Sequence, residues 1–259
     1  MKISIGGDSR HYMFGAIGIH KAVEKLGMNA EYLCCGLSCL SLSLSMIYSP
    51  NRAFHILEKK SDLLRRIFGR IYDEGLKPPN AVEITLALAS SKFRIHLPFL
   101  RNRFEELLKE MVPSVQVDEL ESLSILAVDL EDAKIVKMSG VDLRYAIGAT
   151  CRFTPTSDPF DHRYVSCSRS IGIPEGDVVL KMNVHSAHFK PKRALEFISL
   201  SVNSRREYIE KLTLERAKVP IVVDFKSKVT DFKIMDSVYK KALKVLGEGV
   251  EQYPGEELG

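Results

Sequence analysis

Short apolar runs alternate with longer amphipathic stretches along this chain of 259 residues, and this alternation limits its fold more than any other feature. Strand-type runs occur at residues 2–5, 31–35, 123–128, 134–138, 163–165, 178–184 and 219–223. Helical stretches lie between them, at residues 12–26, 37–48, 54–72, 81–90, 100–111, 141–148, 191–214 and 231–246. Strands that alternate with helices favour a mostly parallel sheet that is covered on both faces. We therefore predict an α/β chain with a three-layer α/β/α fold.

The chain contains no internal repeat and no low-complexity linker, so a single domain over residues 1–259 is its simplest organisation. The last stretch, 247–259, is polar and rich in Gly and Glu, and we expect it to form a flexible tail. Hydrophobic residues make up 45% of the chain and charged residues 27%, as in an ordinary globular protein. Neither a cofactor nor a metal site is predicted.

The formal net charge of +4 is small. It weakly favours anionic partners, so peripheral contact with a phospholipid surface is compatible with it, and it gives no reason to expect nucleic-acid binding. No apolar run reaches the roughly 18 residues of a membrane span, and the run at 2–5 is too short for a signal peptide. A cytoplasmic location is therefore expected.

Three of the five cysteines lie close together in the sequence, and the full set is Cys34, Cys35, Cys39, Cys151 and Cys167. The odd count and the lack of a Cys-x-x-Cys motif predict buried free thiols in a reducing compartment rather than a disulfide framework.

Ser38 occurs where a predicted strand runs into a predicted helix, in the segment Gly36-Leu37-Ser38-Cys39. Such a turn is typical of a nucleophile elbow, in which a strained serine meets the positive end of a helix and amides can stabilise an oxyanion. The alternative is a capping serine at the start of a serine-rich buried helix.

A second turn, Gly6-Gly7-Asp8-Ser9-Arg10, ends the first predicted strand and begins the first predicted helix. Glycine-rich turns at a helix start offer backbone amides to an anion. The alternative is a tight strand-to-helix turn that uses glycine for its backbone freedom.

Taken in order, these segments resemble the patatin-like phospholipase family. Residues 18–27 are similar to the helix that follows the family's oxyanion turn, and Gly36 and Ser38 match its Gly-x-Ser-x-Gly elbow. Residues 125–130 and 142–155 resemble later family segments, so that the similarity extends over about residues 2–185. The resemblance implies a serine–aspartate dyad that acts on a lipid or a small acyl ester.

The same resemblance assigns roles to individual residues. Ser38 becomes the nucleophile, and amides near Gly6, Gly7 and Cys39 become the oxyanion hole. Ser166 stands at the position of the dyad aspartate, where a hydroxyl cannot act as a base at neutral pH.

Two further positions depart from the family pattern. Asp8 replaces the third glycine of the oxyanion turn, where a carboxylate opposes a developing negative charge. Leu40 replaces the second glycine of the elbow and is expected to crowd it.

Three residues shortly before Ser166 are candidates for a substitute base: Asp158, Asp161 and His162. Surface-loop charges are the alternative interpretation of all three. The sequence thus leaves two functions open. One is a divergent serine acyl hydrolase, impaired by the loss of its aspartate, and the other is a non-catalytic patatin-like pseudoenzyme that binds a lipid or a protein partner.

Overall fold

The structure is a computed structural model and describes residues 1–74, 98–153, 159–185, 194–226 and 229–252. Its strands are β1 (Lys2–Ile5), β2 (Glu31–Cys34), β3 (Leu123–Asp129), β4 (Lys134–Lys137), β5 (Tyr164–Ser166), β6 (Val178–His185) and β7 (Val219–Lys226). Its helices are α1 (Arg10–Leu26), α2 (Leu37–Tyr48), α3 (Pro50–Phe68), α4 (Arg70–Glu74), α5 (Pro98–Met111), α6 (Leu143–Thr150), α7 (Ala194–Arg216) and α8 (Asp231–Gln252).

The strands form one sheet in the order β4-β3-β2-β1-β6-β7, with β5 attached to β3. All neighbours from β3 to β7 run parallel, whereas β4 and β5 are antiparallel to β3. The prediction of a mostly parallel α/β sheet is confirmed. Because parallel strands end at the same edge, the turns after β1 and β2 are neighbours.

Helices cover both faces of this sheet. Lys181 and Met182 are consecutive in β6, so their side chains point to opposite faces. Met182 lies against Gly15 of α1, and Lys181 forms an ion pair with Glu210 of α7. Helices α1 and α7 therefore lie on opposite faces, and α1 also packs along α2 and α8.

The C-terminal half of β3 pairs with a different strand from its N-terminal half. Residues up to Ile125 pair with β2, and Ala127 pairs with Ser166 of β5. Strand β5 thus continues the sheet beyond the last residue of β2. This arrangement brings Ser166 to the edge of the sheet where β2 ends.

Several predicted boundaries are corrected by the structure. The helix predicted at 54–72 begins earlier, at Pro50, because proline is well tolerated in the first turn of a helix. The predicted tail at 247–259 is helical as far as Gln252, where α8 ends. The helix predicted at 81–90 lies outside the described residues. No helix in the described part of the chain is long and apolar enough to cross a membrane.

Helix α1 contains two buried histidines. The His11 side chain has no hydrogen-bond partner at either ring nitrogen and lies beside the ring of Phe225. The Nδ1 atom of His20 hydrogen-bonds Ser45 Oγ at 2.7 Å. Burial lowers the pKa of each histidine to about 4, and Arg10 adds to the lowering at His11. Both imidazoles are therefore neutral at pH 7.

This burial predicts a stability that depends on pH. Because the pKa of each histidine is lower in the folded chain than the 6.5 of an unfolded one, protons bind the unfolded chain first as the pH falls. The free energy of unfolding is fully retained above pH 6.5. It decreases between pH 6.5 and pH 4, by about 1.4 kcal/mol per pH unit for each histidine. Urea titrations across this range measure the slope.

The His11→Phe variant is the matched test of this slope. It removes a titrating group without losing a hydrogen bond, since neither ring nitrogen has a partner. We expect the slope to fall by about half while stability at pH 7.5 is retained. An unchanged slope would show that His11 does not titrate between the two states.

Candidate functional site

Ser38 lies in the first turn of α2, directly after a sharp reversal at Gly36. The Gly36 backbone has φ 70° and ψ −144°, a conformation that glycine adopts more readily than other residues. The chain thereby leaves β2 and enters α2 within two residues. The strand–turn–helix path predicted from the sequence is present, but the unusual backbone lies at Gly36, and Ser38 itself is helical without a positive φ. The Ser38 side chain is 0% exposed.

The two glycine turns interlock. The Leu37 amide donates a hydrogen bond to the Gly7 carbonyl at 2.6 Å. A Cβ added to Gly36 would collide with that carbonyl, and a Cβ added to Gly7 would collide with the Cys35 carbonyl and lie 2.6 Å from Ser38 Oγ. Only glycine fits at either position. The first turn is therefore packed directly against the serine.

The Ser38 hydroxyl is bonded to the backbone of its own turn. Its Oγ donates to the Cys35 carbonyl at 3.0 Å, and within the described residues no carboxylate or imidazole hydrogen-bonds it. Two other serines of α2 behave similarly, since Ser41 Oγ donates to the Ser38 carbonyl and Ser43 Oγ to the Cys39 carbonyl. Ser38 is thus bonded in the same way as the purely structural serines of its helix.

The backbone amides of the elbow also have acceptors. The Cys39 amide, predicted for the oxyanion hole, donates to the Gly36 carbonyl at 3.1 Å. The Gly36 amide donates to Thr150 Oγ1 at 2.8 Å, and the same hydroxyl donates to the Leu126 carbonyl at 2.6 Å. Thr150 therefore joins the elbow to β3. Sequence reasoning missed this residue, because a threonine at a helix end gives no signal of such a contact.

The segment that begins at Ser166 contacts the elbow at Cys35, the residue that follows β2. The Ser166 amide donates to the Arg152 carbonyl, and its hydroxyl accepts from the Ser168 amide at 3.3 Å. Ser168 Oγ lies 3.2 Å from the Sγ of Cys35. The segment that the resemblance aligns with the dyad aspartate is therefore next to the strand that carries Ser38.

Asp8 is accompanied by a buried cation. Arg206 of α7 approaches it at 3.2 Å and lies 3.6 Å from Glu210, which pairs with Lys181. Burial and the neighbouring Arg206 lower the pKa of Lys181. The carboxylate that is predicted to oppose an oxyanion is therefore paired with a guanidinium group. Arg206 could not be predicted as the partner of Asp8, because it lies 198 residues away along the chain.

The candidate substitute bases are not joined to Ser38 in the described residues. Asp158 lies outside them. Asp161 and His162 are exposed and form a turn between Phe160 and Tyr164, both with positive φ. Asp161 accepts a hydrogen bond from the Tyr145 hydroxyl at 2.9 Å. The predicted role of Asp161 or His162 as a base has no support from this geometry, and that of Asp158 stays a prediction.

The cysteines differ from prediction. Cys34 and Cys39 form a disulfide across the elbow, with their Cα atoms 5.4 Å apart. The sharp turn at Gly36 brings together two residues that lack a familiar spacing, and this corrects the expectation of five free thiols. Cys35, Cys151 and Cys167 remain free and buried, and burial raises the pKa of the Cys151 and Cys167 thiols.

No group of three or more His, Cys, Asp or Glu side chains in the described ranges could hold a metal ion. No protein-family model and no curated protein matches this chain. Among solved structures, the chain is similar to VipD from Legionella pneumophila, with 12% sequence identity and a TM-score of 0.45. The match covers 95% of this chain and 66% of VipD, so that the chain spans about two thirds of the length of that protein. This similarity is too remote to assign an activity.

The interlocked turns predict a large effect of Gly36→Ala. The new methyl group collides with the Gly7 carbonyl at a residue that also has positive φ, so we expect a loss of roughly 3 kcal/mol or more in unfolding free energy. Gly140→Ala is the matched control, because Gly140 has a similar φ of 64° and open space around it. The control should lose about 1 kcal/mol. Equal losses in chemical denaturation would contradict the interlock.

Proposed function

We propose that this chain is a non-hydrolytic protein of patatin-like architecture, in which Ser38 has become part of the scaffold. The observation that carries this proposal is the hydrogen bond from the buried Ser38 hydroxyl to the Cys35 carbonyl. A serine nucleophile needs a neighbouring group that accepts its proton as it attacks. A backbone carbonyl cannot take that proton.

The lack of a base agrees with the identity of residue 166. A serine stands where the resemblance places the dyad aspartate, and Asp161 is bonded to Tyr145 instead. The amides of Leu37 and Cys39 already have backbone acceptors, so they offer little to a developing oxyanion. The missing proton acceptor and the occupied Cys39 amide therefore support the same proposal.

A weak acyl hydrolase is the second candidate function, because the turns around Ser38 are preserved. Gly7 still packs against Ser38, and Arg206 compensates the charge of Asp8. The turns that frame the serine are therefore preserved although its base is missing. Under this second candidate, Ser38 keeps its orientation and lacks only proton transfer.

A fluorophosphonate probe separates the two candidates. We expect wild-type protein to show no covalent adduct on Ser38 and to match Ser38→Ala in labelling rate and in turnover of short and long p-nitrophenyl esters. Ser43→Ala is the matched control, since Ser43 is equally buried and also donates to a backbone carbonyl. Intact-mass spectrometry with peptide mapping gives the readout. An adduct mapped to Ser38 in the wild-type protein would refute the first candidate.

The Ser166→Asp variant adds a second comparison to the same experiment. Labelling that appears in Ser166→Asp and disappears in Ser166→Asp/Ser38→Ala would mean that only the base had been lost. Circular dichroism and thermal denaturation must first show that Ser166→Asp is folded, because Ser166 is 2% exposed.

We further propose that the chain acts by binding a lipid or an acyl group, the ligand class that the resemblance implies. A fluorescent long-chain fatty acid should then bind saturably, with one site per chain, and unlabelled oleate should displace it. Since the proposed role of Ser38 is structural, Ser38→Ala should bind with the same affinity. Fluorescence titration measures both. A lack of saturable binding would leave the non-hydrolytic assignment intact and remove lipid as the ligand.

A further inference from the structure

The Cys34–Cys39 disulfide encloses Ser38, and we propose that it is a reversible redox latch on the first turn of α2. Cys34 is the last residue of β2, and Cys39 directly follows Ser38. The covalent ring therefore contains the whole elbow, from Cys35 to Ser38. This proposal does not depend on whether the chain hydrolyses esters.

Apart from the disulfide, the contacts of the elbow described above are single hydrogen bonds. They join Leu37 to Gly7, Gly36 to Thr150, and the Ser38 hydroxyl to Cys35. The disulfide adds the one covalent link, within the described residues, between the end of β2 and the start of α2 other than the chain itself. Its reduction leaves the hydrogen bonds in place and makes local opening of the first turn easier.

Because the disulfide closes a short loop, its contribution to the stability of the whole fold is limited. A disulfide stabilises a fold mainly by restricting the unfolded chain, and it does so less when it closes a short loop. Cys34 and Cys39 are separated by five positions, and the fold also buries a core that extends over both faces of the sheet. The fold should therefore survive reduction, which is the property that a switch requires and a structural staple lacks.

Three reduced thiols lie in the same region, but the nearest points away from the disulfide. Cys34 and Cys35 are consecutive at the end of β2, and Cys35 contacts Ser168 and Gly172 instead of α2. The Cys167 thiol donates to the Leu126 carbonyl of β3. Electrons must therefore come from an external dithiol rather than from Cys35.

The exchange is balanced when that external reductant is a dithiol of the thioredoxin type. One of its thiolates attacks a sulfur of the Cys34–Cys39 bond, which forms a mixed disulfide and releases the other cysteine as a thiolate. Its second thiol then displaces the remaining cysteine and becomes oxidised. The chain gains two electrons and two protons, and both cysteines become thiols. Because both sulfurs are buried, attack requires prior opening of the elbow.

The test compares oxidised and reduced full-length protein. Protein purified without thiol reagents is incubated with oxidised or reduced dithiothreitol, quenched in acid, alkylated and mapped by mass spectrometry. We expect Cys34 and Cys39 to become alkylated only after reduction. Hydrogen exchange should speed up at residues 36–41 after reduction, and the Tm should fall by roughly 4–8 °C. Reoxidation should restore both values.

Two variants test whether the response to dithiothreitol comes from the Cys34–Cys39 disulfide. The Cys34→Ala/Cys39→Ala double variant should stay folded, have a Tm near that of the reduced protein and no longer respond to dithiothreitol. Cys151→Ala should respond like the wild type, because Cys151 is not part of the disulfide. The proposal is overturned if Cys34 and Cys39 are alkylated before reduction, if reduction unfolds the protein, or if exchange at residues 36–41 is the same in both redox states.

Discussion

The hydrogen bond between the Leu37 amide and the Gly7 carbonyl holds together the two turns on which the site depends. It forms because β1 and β2 are parallel neighbours, so that both chains leave the sheet at the same edge. The contact requires glycine on both sides, since any Cβ at Gly7 or Gly36 would enter the other turn. Helices α1 and α2 begin directly after these turns. Their positions, and that of Ser38, are consequences of this one close approach.

The same close approach explains why a shape typical of catalysis does not by itself provide chemistry. The Ser38 hydroxyl and the amides of Gly36, Leu37 and Cys39 all have partners within the protein. Satisfied donors stabilise a buried turn, and for that reason they are less available to a substrate. The packing of the elbow is thus stabilised by contacts within the protein, independently of any substrate.

Periodicity and turn residues were sufficient to predict the mostly parallel sheet and the strand–serine–helix turn, because each depends on local sequence. The contacts that define the site are long-range and were not predictable. Arg206 pairs with Asp8 although 198 positions separate them, and Thr150 accepts a hydrogen bond from the Gly36 amide. The Cys34–Cys39 disulfide was missed for a different reason: only the backbone reversal at Gly36 brings the two sulfurs together.

The two neutral histidines of α1 make the stability of the fold depend on the surrounding pH. His11 and His20 lie in the helix that follows the Gly6-Gly7 turn, and burial favours the uncharged form of each. In an acidified vesicle near pH 5, both imidazoles would favour the unfolded chain. The folded chain still keeps both imidazoles neutral at pH 5, so acidity lowers the free energy of unfolding and leaves the packing of the helix itself unchanged.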